Sequence, residues 1–167
     1  MPTTASWQPL TPSDLGTVIA IAGQVHPGLP ERASVFEEKI HLSAQTCFKL
    51  VQDGATVGYG LAHPWKLQAI PPLDDFLHGL PARPSCLYVH DIALLPAGRG
   101  RHASADLLDL LKAIARREQW PQLACVSVYG TSVYWRRFGF RPVELPSLAA
   151  KLKTYGDTAC YMICDVG

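Results

Sequence analysis

The chain has 167 residues, 48% of them apolar, with 15 basic and 14 acidic side chains and a formal charge of +1. That much apolar side chain can bury a core without metals or disulfide staples, and so even a balance argues against nucleic acid or another polyanion held by bulk charge. No run of about 20 apolar residues offers a membrane span, and Met1 to Trp7 carries neither a basic segment nor an apolar one, so a cytoplasmic protein with no membrane partner is expected.

Taken in chain order, a strand is expected near Ser6 to Leu10 and runs into Thr11-Pro12-Ser13-Asp14, a capping box with proline in the first turn. Leu15, Val18, Ile19 and Ala22 make an apolar helical stripe that stops between Gly23 and Pro27. A second helical piece carries Val35, Phe36 and Ile40, with Glu37 and Glu38 on its solvated face. Thr46 to Val51 and Ala55 to Ala62 flank Asp53-Gly54 and read as a β-hairpin. His63 to Ser85 contains prolines 64, 71, 72, 81 and 84, acidic Asp74 and Asp75, and apolar anchors, which suggests a packed lid or substrate wall over the domain, with a passive surface loop as the alternative.

Cys86 to Leu95 reads as a central strand in which only His90-Asp91 interrupts an apolar run. A turn over Pro96 to His102 leads to an amphipathic helix, Ser104 to Arg117, with Leu107, Leu108, Leu111 and Ile114 on one face. Leu123 to Tyr129 is then a strand parallel to Cys86 to Leu95 after a helical crossover. A short helix at Gly130 to Arg137 and strands near Arg141 to Glu144 and Ala159 to Val166 close a single domain over residues 1–167. The five cysteines (47, 86, 125, 160 and 164) are odd in number and lack zinc-type pairing, so buried thiols and no metal are expected.

Strand, glycine-containing turn and helix together make a phosphate site, because the first N–H groups of a helix have no partner within it and its positive dipole end attracts anions. Arg99, Gly100, Arg101 and His102 concentrate positive charge there. The turn is neither a P-loop nor a dinucleotide fingerprint, since Gly-Lys-Ser/Thr and G-x-G-x-x-G are both absent. From these residues alone, a solvated strand-to-helix turn remains the alternative.

The run Asp91-Ile92-Ala93-Leu94-Leu95-Pro96-Ala97-Gly98-Arg99-Gly100 resembles the acyl-CoA motif of the GNAT acetyltransferases, and Tyr134-Trp135-Arg136-Arg137-Phe138-Gly139-Phe140 resembles the Phe-Tyr-x-x-x-Gly-Phe block that follows it in that family. The two blocks lie in the family's order and cover residues 87 to 140; the N-terminal third is similar in layout only. The resemblance implies an α/β (α+β) fold: a GNAT-like mixed, mostly antiparallel central sheet, splayed between strands 4 and 5 and flanked by helices. It implies acetyl-CoA as cosubstrate, with Ile92, Ala93 and Leu94 bonding the pantetheine arm and Arg99, Gly100, Arg101, His102, Ala103 and Ser104 holding the phosphates. The sequence departs from the family at His102, where a second glycine is usual, and at Ser104, where glycine or alanine is usual. Trp135 stands where the family has the tyrosine that protonates the departing thiolate, which places an indole beside the cosubstrate instead; an indole N–H is no useful acid.

Three residues are candidates for the chemistry. Tyr134 is either the acid in place of Trp135 or a packing residue. His90 matches in position the base of aralkylamine acetyltransferases in the same superfamily, and is otherwise a polar residue satisfied within the sheet. Asp91 competes with it as base or as partner of a substrate ammonium. Strand alternation is expected to put His90 and Asp91 on opposite faces, and His26, His41, His63 and His78 are expected at the surface or in loops. Glu37 and Glu38 are placed to bring acid near a cationic acceptor. The reading is direct N-acyl transfer to a small-molecule amine in a ternary complex, with a Cys-linked route disfavoured and a homodimer left open. The alternative is a non-catalytic acyl-CoA-binding or sensing domain.

Overall fold

The structure, a computed structural model, describes residues 4–100 and 102–167. Within them the chain forms β1 (Ala5–Pro9), α1 (Leu15–Val25), α2 (Ala33–Leu42), β2 (Cys47–Gln52), β3 (Ala55–Trp65), β4 (Cys86–Leu94), α3 (Ala103–Arg117), β5 (Gln122–Ser127), α4 (Ser132–Arg136), β6 (Arg141–Pro142), α5 (Ala149–Lys153) and β7 (Cys160–Asp165). The strands make one mixed sheet in the order β1-β2-β3-β4-β5-β7-β6, in which β4 and β5 are parallel and the other described pairs antiparallel. This is the sheet expected from the sequence. The short helix α5 and the 3₁₀ turns Ala44–Thr46 and Pro146–Leu148 were not anticipated.

Helix α1 starts where the capping box requires. The Asp14 carboxylate accepts the Thr11 backbone N–H at 2.9 Å and also takes an ion pair from Lys49 on β2, which ties the helix entry to the sheet. With α2 it covers one face, burying Val18, Ile21, Phe36 and Ile40 against Tyr59, Leu61 and Ala93. On the other face α3 buries Leu107, Leu108 and Leu111, as its stripe foretold, against Leu87, Val89, Leu123 and Cys125. Gly60 makes this closeness possible, since a Cβ built there would lie 2.4 Å from Leu107 Cδ2. A Gly60→Ala substitution is expected to cost about 1–3 kcal/mol by overpacking; urea unfolding with an unchanged m-value checks it.

Three features of the central strands shape the site. First, β3 runs beyond the expected end at Ala62, with His63 opposite Tyr88 and Pro64 opposite Leu87, so the connecting loop spans 66–85. His63 is therefore a fully buried core residue, not a loop residue, with its ring against Trp65 and Tyr88. The prolines suggested a break, but Leu61, His63 and Trp65 keep the alternation of a strand.

Second, β4 carries a bulge. Leu61 pairs with Asp91 and Ala62 with Val89, leaving His90 as the extra residue. A bulge resets the alternation, so His90 and Asp91 address the same face, contrary to the expectation from simple strand geometry. Third, β4 and β5 pair only over Leu87–Val89 and Leu123–Cys125, after which both strands continue unpaired with each other. The sheet opens there.

The five cysteines are free, four of them buried and Cys160 half-buried. Among the described residues, no helix is long and apolar enough to cross a membrane, and no group of side chains has the makings of a metal site.

Candidate active site

The opening between β4 and β5 continues into a cavity of about 680 Å³. Its walls come from Val89 to Ile92 and Leu94 of β4, from Arg99, Gly100 and His102 to Ala105 at the start of α3, and from Tyr134, Trp135, Arg137 and Phe138 in and after α4. The end of α1, the α1–α2 loop and the residues following β5 complete it.

The turn into α3 is built from two left-handed residues, Gly100 at φ +80° and His102 at φ +60°. No atom lies within 4 Å of where a Gly100 Cβ would be, so the turn is open on that side. His102 takes the N-cap position in a conformation that glycine adopts without cost, which is how a histidine stands where the resembling family has glycine. Ala103 is fixed on both sides: its N–H reaches the Gly100 carbonyl at 3.2 Å, and its carbonyl accepts Trp7 Nε1–H at 2.8 Å. Arg99 lines the cavity and donates through Nε to the Leu94 carbonyl at 3.1 Å, so that oxygen is already engaged. Arg101, expected in the same cradle, lies outside the described residues. The open turn, the helix start and the continuous cavity suit a pantetheine-linked pyrophosphate; Gly100, His102 and Ser104 would hold its phosphates, with Ile92 to Leu94 beside its arm.

On the opposite side of the opening, Trp135 turns inward and packs edge-on against Phe140, ring centroids 5.1 Å apart. Tyr134 reaches across to α3 and donates its hydroxyl to Ser104 Oγ at 2.6 Å. Ser104, where the family usually has glycine or alanine, and Tyr134, the residue before Trp135, thus meet in a single hydrogen bond.

The bulge brings two histidine–carboxylate pairs into the cavity. His90 Nε2 lies 2.9 Å from Glu31 Oε1, both side chains being less than a tenth exposed. His26 Nε2 lies 2.7 Å from Asp91 Oδ1, off the line of its ring N–H, so this is a charge contact more than an aligned hydrogen bond. Asp91 also accepts the hydroxyl of buried Tyr59. Burial opposes protonation of His26, but the close contact and charge of Asp91, the Ile92 backbone and the charge of Glu31 outweigh it and hold the imidazole above its ordinary range. Behind His90, His63 stands with ring centroids 6.2 Å away. Burial first, then the charges of His90 and Lys39, push His63 down to about 3.

Sequence reasoning found His90 and Asp91 but missed Glu31, His26 and Tyr129. His26, expected at the surface or in a loop, lies in the α1–α2 loop but turns inward, pairing with Asp91 and stacking on the Tyr129 ring with centroids 6.3 Å apart at 15°. Tyr129 holds a left-handed φ of +56°, uncommon for a residue of its bulk, and so spans from the end of β5 to the end of α1. Nothing local marks Glu31 or His26, which lie 59 and 65 residues from the strand they meet. A tyrosine followed by glycine after a strand is the one signal for Tyr129.

The connecting loop is packed onto the domain, and Leu73 within it reaches the cavity wall. Gln68 donates its N–H to Tyr161 Oη, the Tyr155 hydroxyl binds the Pro71 carbonyl, and Glu38 receives the N–H groups of Leu77 and His78. Asp74 is paired with Arg32 and neither Asp74 nor Asp75 lines the cavity; Leu73 does. Glu38 therefore fastens the loop, and Glu37 is exposed away from the cavity lining.

No family model matches the chain, and no curated protein matches it. Solved structures match over nearly all of it. The GphF GNAT-like decarboxylase in complex with isobutyryl-CoA is 18% identical, at TM-score 0.80 over 97% of this chain and 100% of that one. The loading GNATL domain of CurA from Lyngbya majuscula is 12% identical, at TM-score 0.73 over 98% of each. The PaiA N-acetyltransferase of Thermoplasma acidophilum, in complex with coenzyme A, is 12% identical, at TM-score 0.67 over 97% and 99%.

Proposed function

From a chain that has the GNAT fold, we propose an acyl-CoA-dependent N-acyltransferase, acting as one cytoplasmic domain, that moves an acetyl or similar acyl group to a small-molecule amine. The observation that carries this reading is the continuity of one cavity from the left-handed turn at Gly100 and His102, past the unpaired end of β4, to the His90–Glu31 pair. Acyl-CoA supplies the activated acyl group. The protein's own residues do the rest by holding both reactants in one cleft, which makes attack effectively intramolecular.

His90 takes the proton that the attacking amine must lose, and the Glu31 carboxylate at 2.9 Å stabilises the imidazolium that results. Asp91 is committed to Tyr59 and His26 and orders the wall beside it. Tyr134, bonded to Ser104 and one residue before the family's acid position, is the candidate acid; a thiolate leaves readily enough for that acid to be dispensable. The cysteines take no part. Burial raises Cys86 to about 12 and Cys125 well above its ordinary value, so neither presents a thiolate.

Binding is the first test. A ligand present at 100 times its Kd stabilises the native state by about 2.7 kcal/mol, or about 5–10 °C in Tm for a chain of this size. Acetyl-CoA is expected to give such a shift, and Gly100→Pro to abolish it, because proline cannot take φ +80°. No shift with acetyl-CoA, CoA or dephospho-CoA at saturation would sink the reading.

A second reading, loss of CO2 from a carboxyacyl-CoA with protonation of the carbanion, is favoured by the extent of the likeness to the GphF decarboxylase and by Trp135 in the place of a tyrosine acid. Glu31 and Asp91 in the cavity weigh against it, since they repel a second carboxylate. Conversion of malonyl-CoA to acetyl-CoA with no amine present would establish it.

A further inference from the structure

We propose that Glu31 anchors the acceptor's ammonium group, and that the acceptor is therefore an apolar primary amine without a carboxylate. This rests on the acyltransferase reading and names its substrate class. Glu31 lies in the α1–α2 loop, and its side chain is only 7% exposed although the residue lines the cavity. One carboxylate oxygen, Oε1, is engaged by His90. The other, Oε2, is buried and has no hydrogen-bond partner. A buried carboxylate oxygen left unpaired is costly, so Glu31, a residue of the cavity wall, holds an acceptor in need of a donor.

The protein's own cations do not meet that need. Lys39 is buried nearby and feels the charge of Glu31, but its Nζ hydrogen-bonds to the Asp75 carbonyl in the loop at 3.4 Å. The cavity that Glu31 lines also offers an apolar wall of Leu29, Phe36, Leu73, Val126 and Val128. Among the described residues lining the cavity, the arginines are Arg99, before α3, and Arg137, after α4, neither of them on the α1–α2 loop that carries Glu31. The other carboxylate is Asp91. An α-amino acid held on Glu31 would thus bring its carboxylate towards two like charges, with the nearby cations His26 and Lys39 already engaged by Asp91 and the Asp75 carbonyl, whereas an alkyl- or arylalkylamine satisfies Oε2 with its ammonium and buries its body against the apolar wall.

The balance of the step is simple. The ammonium gives one proton to the Glu31–His90 pair, the freed amine forms the N–C bond, and the C–S bond breaks to release thiolate. The nitrogen loses its second proton as the amide forms and the departing thiolate takes that one up, while the proton held on the pair returns to solvent with the product.

The test uses the intact chain with CoA bound and compares 2-phenylethylamine, phenylalanine and 3-phenylpropionate by calorimetry, then acetyl-CoA turnover on the first two. Phenylethylamine is expected to bind and to be acetylated with kcat/KM at least 100-fold above phenylalanine, and phenylpropionate not to bind. Glu31→Gln is expected to raise KM for the amine 10- to 100-fold while leaving the acetyl-CoA thermal shift unchanged. Equal use of phenylalanine, or failure of phenylethylamine to bind the wild-type chain, overturns the anchor even if the variant does not fold. Amine binding that depends on Glu31 with no acetylation of any acceptor would keep the anchor and overturn the acyltransferase reading.

Discussion

Between pH 7 and pH 5 the wild-type chain is expected to lose about 2 kcal/mol of stability that a His63→Phe variant retains, from one side chain. His63 is fully buried, hydrogen-bonded through Nδ1 to the Pro64 carbonyl at 3.3 Å, with Nε2 unpartnered. Burial is the largest cause of its low affinity for a proton, followed by the charge of His90 on β4; the Pro64 bond opposes them weakly, and Lys39 from α2 adds to them. Its folded value is about 3 against 6.5 for the free side chain. In that window the unfolded chain binds a proton that the folded chain refuses, so the contribution of His63 is complete above pH 6.5 and is lost as pH falls towards 3. Each pH unit below 6.5 is worth about 1.4 kcal/mol, hence about 2 kcal/mol at pH 5.

The other perturbed groups act in both proteins and cancel in the comparison. His26, whose value is raised, contributes stability at low pH and loses it as pH rises through the raised value. Asp14, whose value is lowered by its bonds to Lys49 and Thr11 against an opposing burial effect, contributes above its unfolded value and loses that on acidification. Urea unfolding of both proteins from pH 7 to pH 5 decides the matter. Parallel losses in the two would mean that His63 carries its proton in the fold.

Replacing His90 by Gln is expected to lower kcat/KM for an amine acceptor by about 10²- to 10⁴-fold, the range spanned by a positioned general base. His26→Gln is expected to cost less than tenfold. The two imidazoles stand in similar pairs, each with a carboxylate below 3 Å, but they differ in what they have left to offer. Asp91 and Glu31 together hold His26 protonated to higher pH, so near neutrality it is poorly prepared to accept a second group's proton, and its ring is stacked under Tyr129. His90 lies at the bulge, on the strand whose unpaired end borders the opening, with Nδ1 unpartnered. Steady-state kinetics of both variants check the assignment, with acetyl-CoA binding as the control for folding. A larger loss at His26 than at His90 would transfer the base to the Asp91 pair.

Both predictions depend on placements that local patterning misses. His63 follows a hairpin strand and precedes a proline, so its neighbours in sequence suggest the beginning of a loop; only the rings of Trp65 and Tyr88 on the same face make it core. His90 and Asp91 were legible as polar residues breaking an apolar strand, and the cradle at Arg99 to Ser104 as the start of an amphipathic helix, because both signals lie within a few residues of chain. Their relative orientation was not, because a bulge is created by the pairing of β4 with β3 and leaves no mark on β4 alone.

What the amino-acid order determined by itself was everything carried by short-range periodicity and backbone chemistry. The capping box at Thr11 and Asp14, the left-handed Asp53-Gly54 turn, the buried stripe of α3 and the strand–turn–helix that opens the cavity all follow from 2.0- and 3.6-residue repeats and from glycine's access to positive φ. What the tertiary structure decided was which charged groups meet. Glu31 and His26 come to His90 and Asp91 from loops and helix ends 59 and 65 residues away, and the low dielectric that gives those pairs their strength exists only once α1, α2 and the 66–85 loop have closed over the sheet.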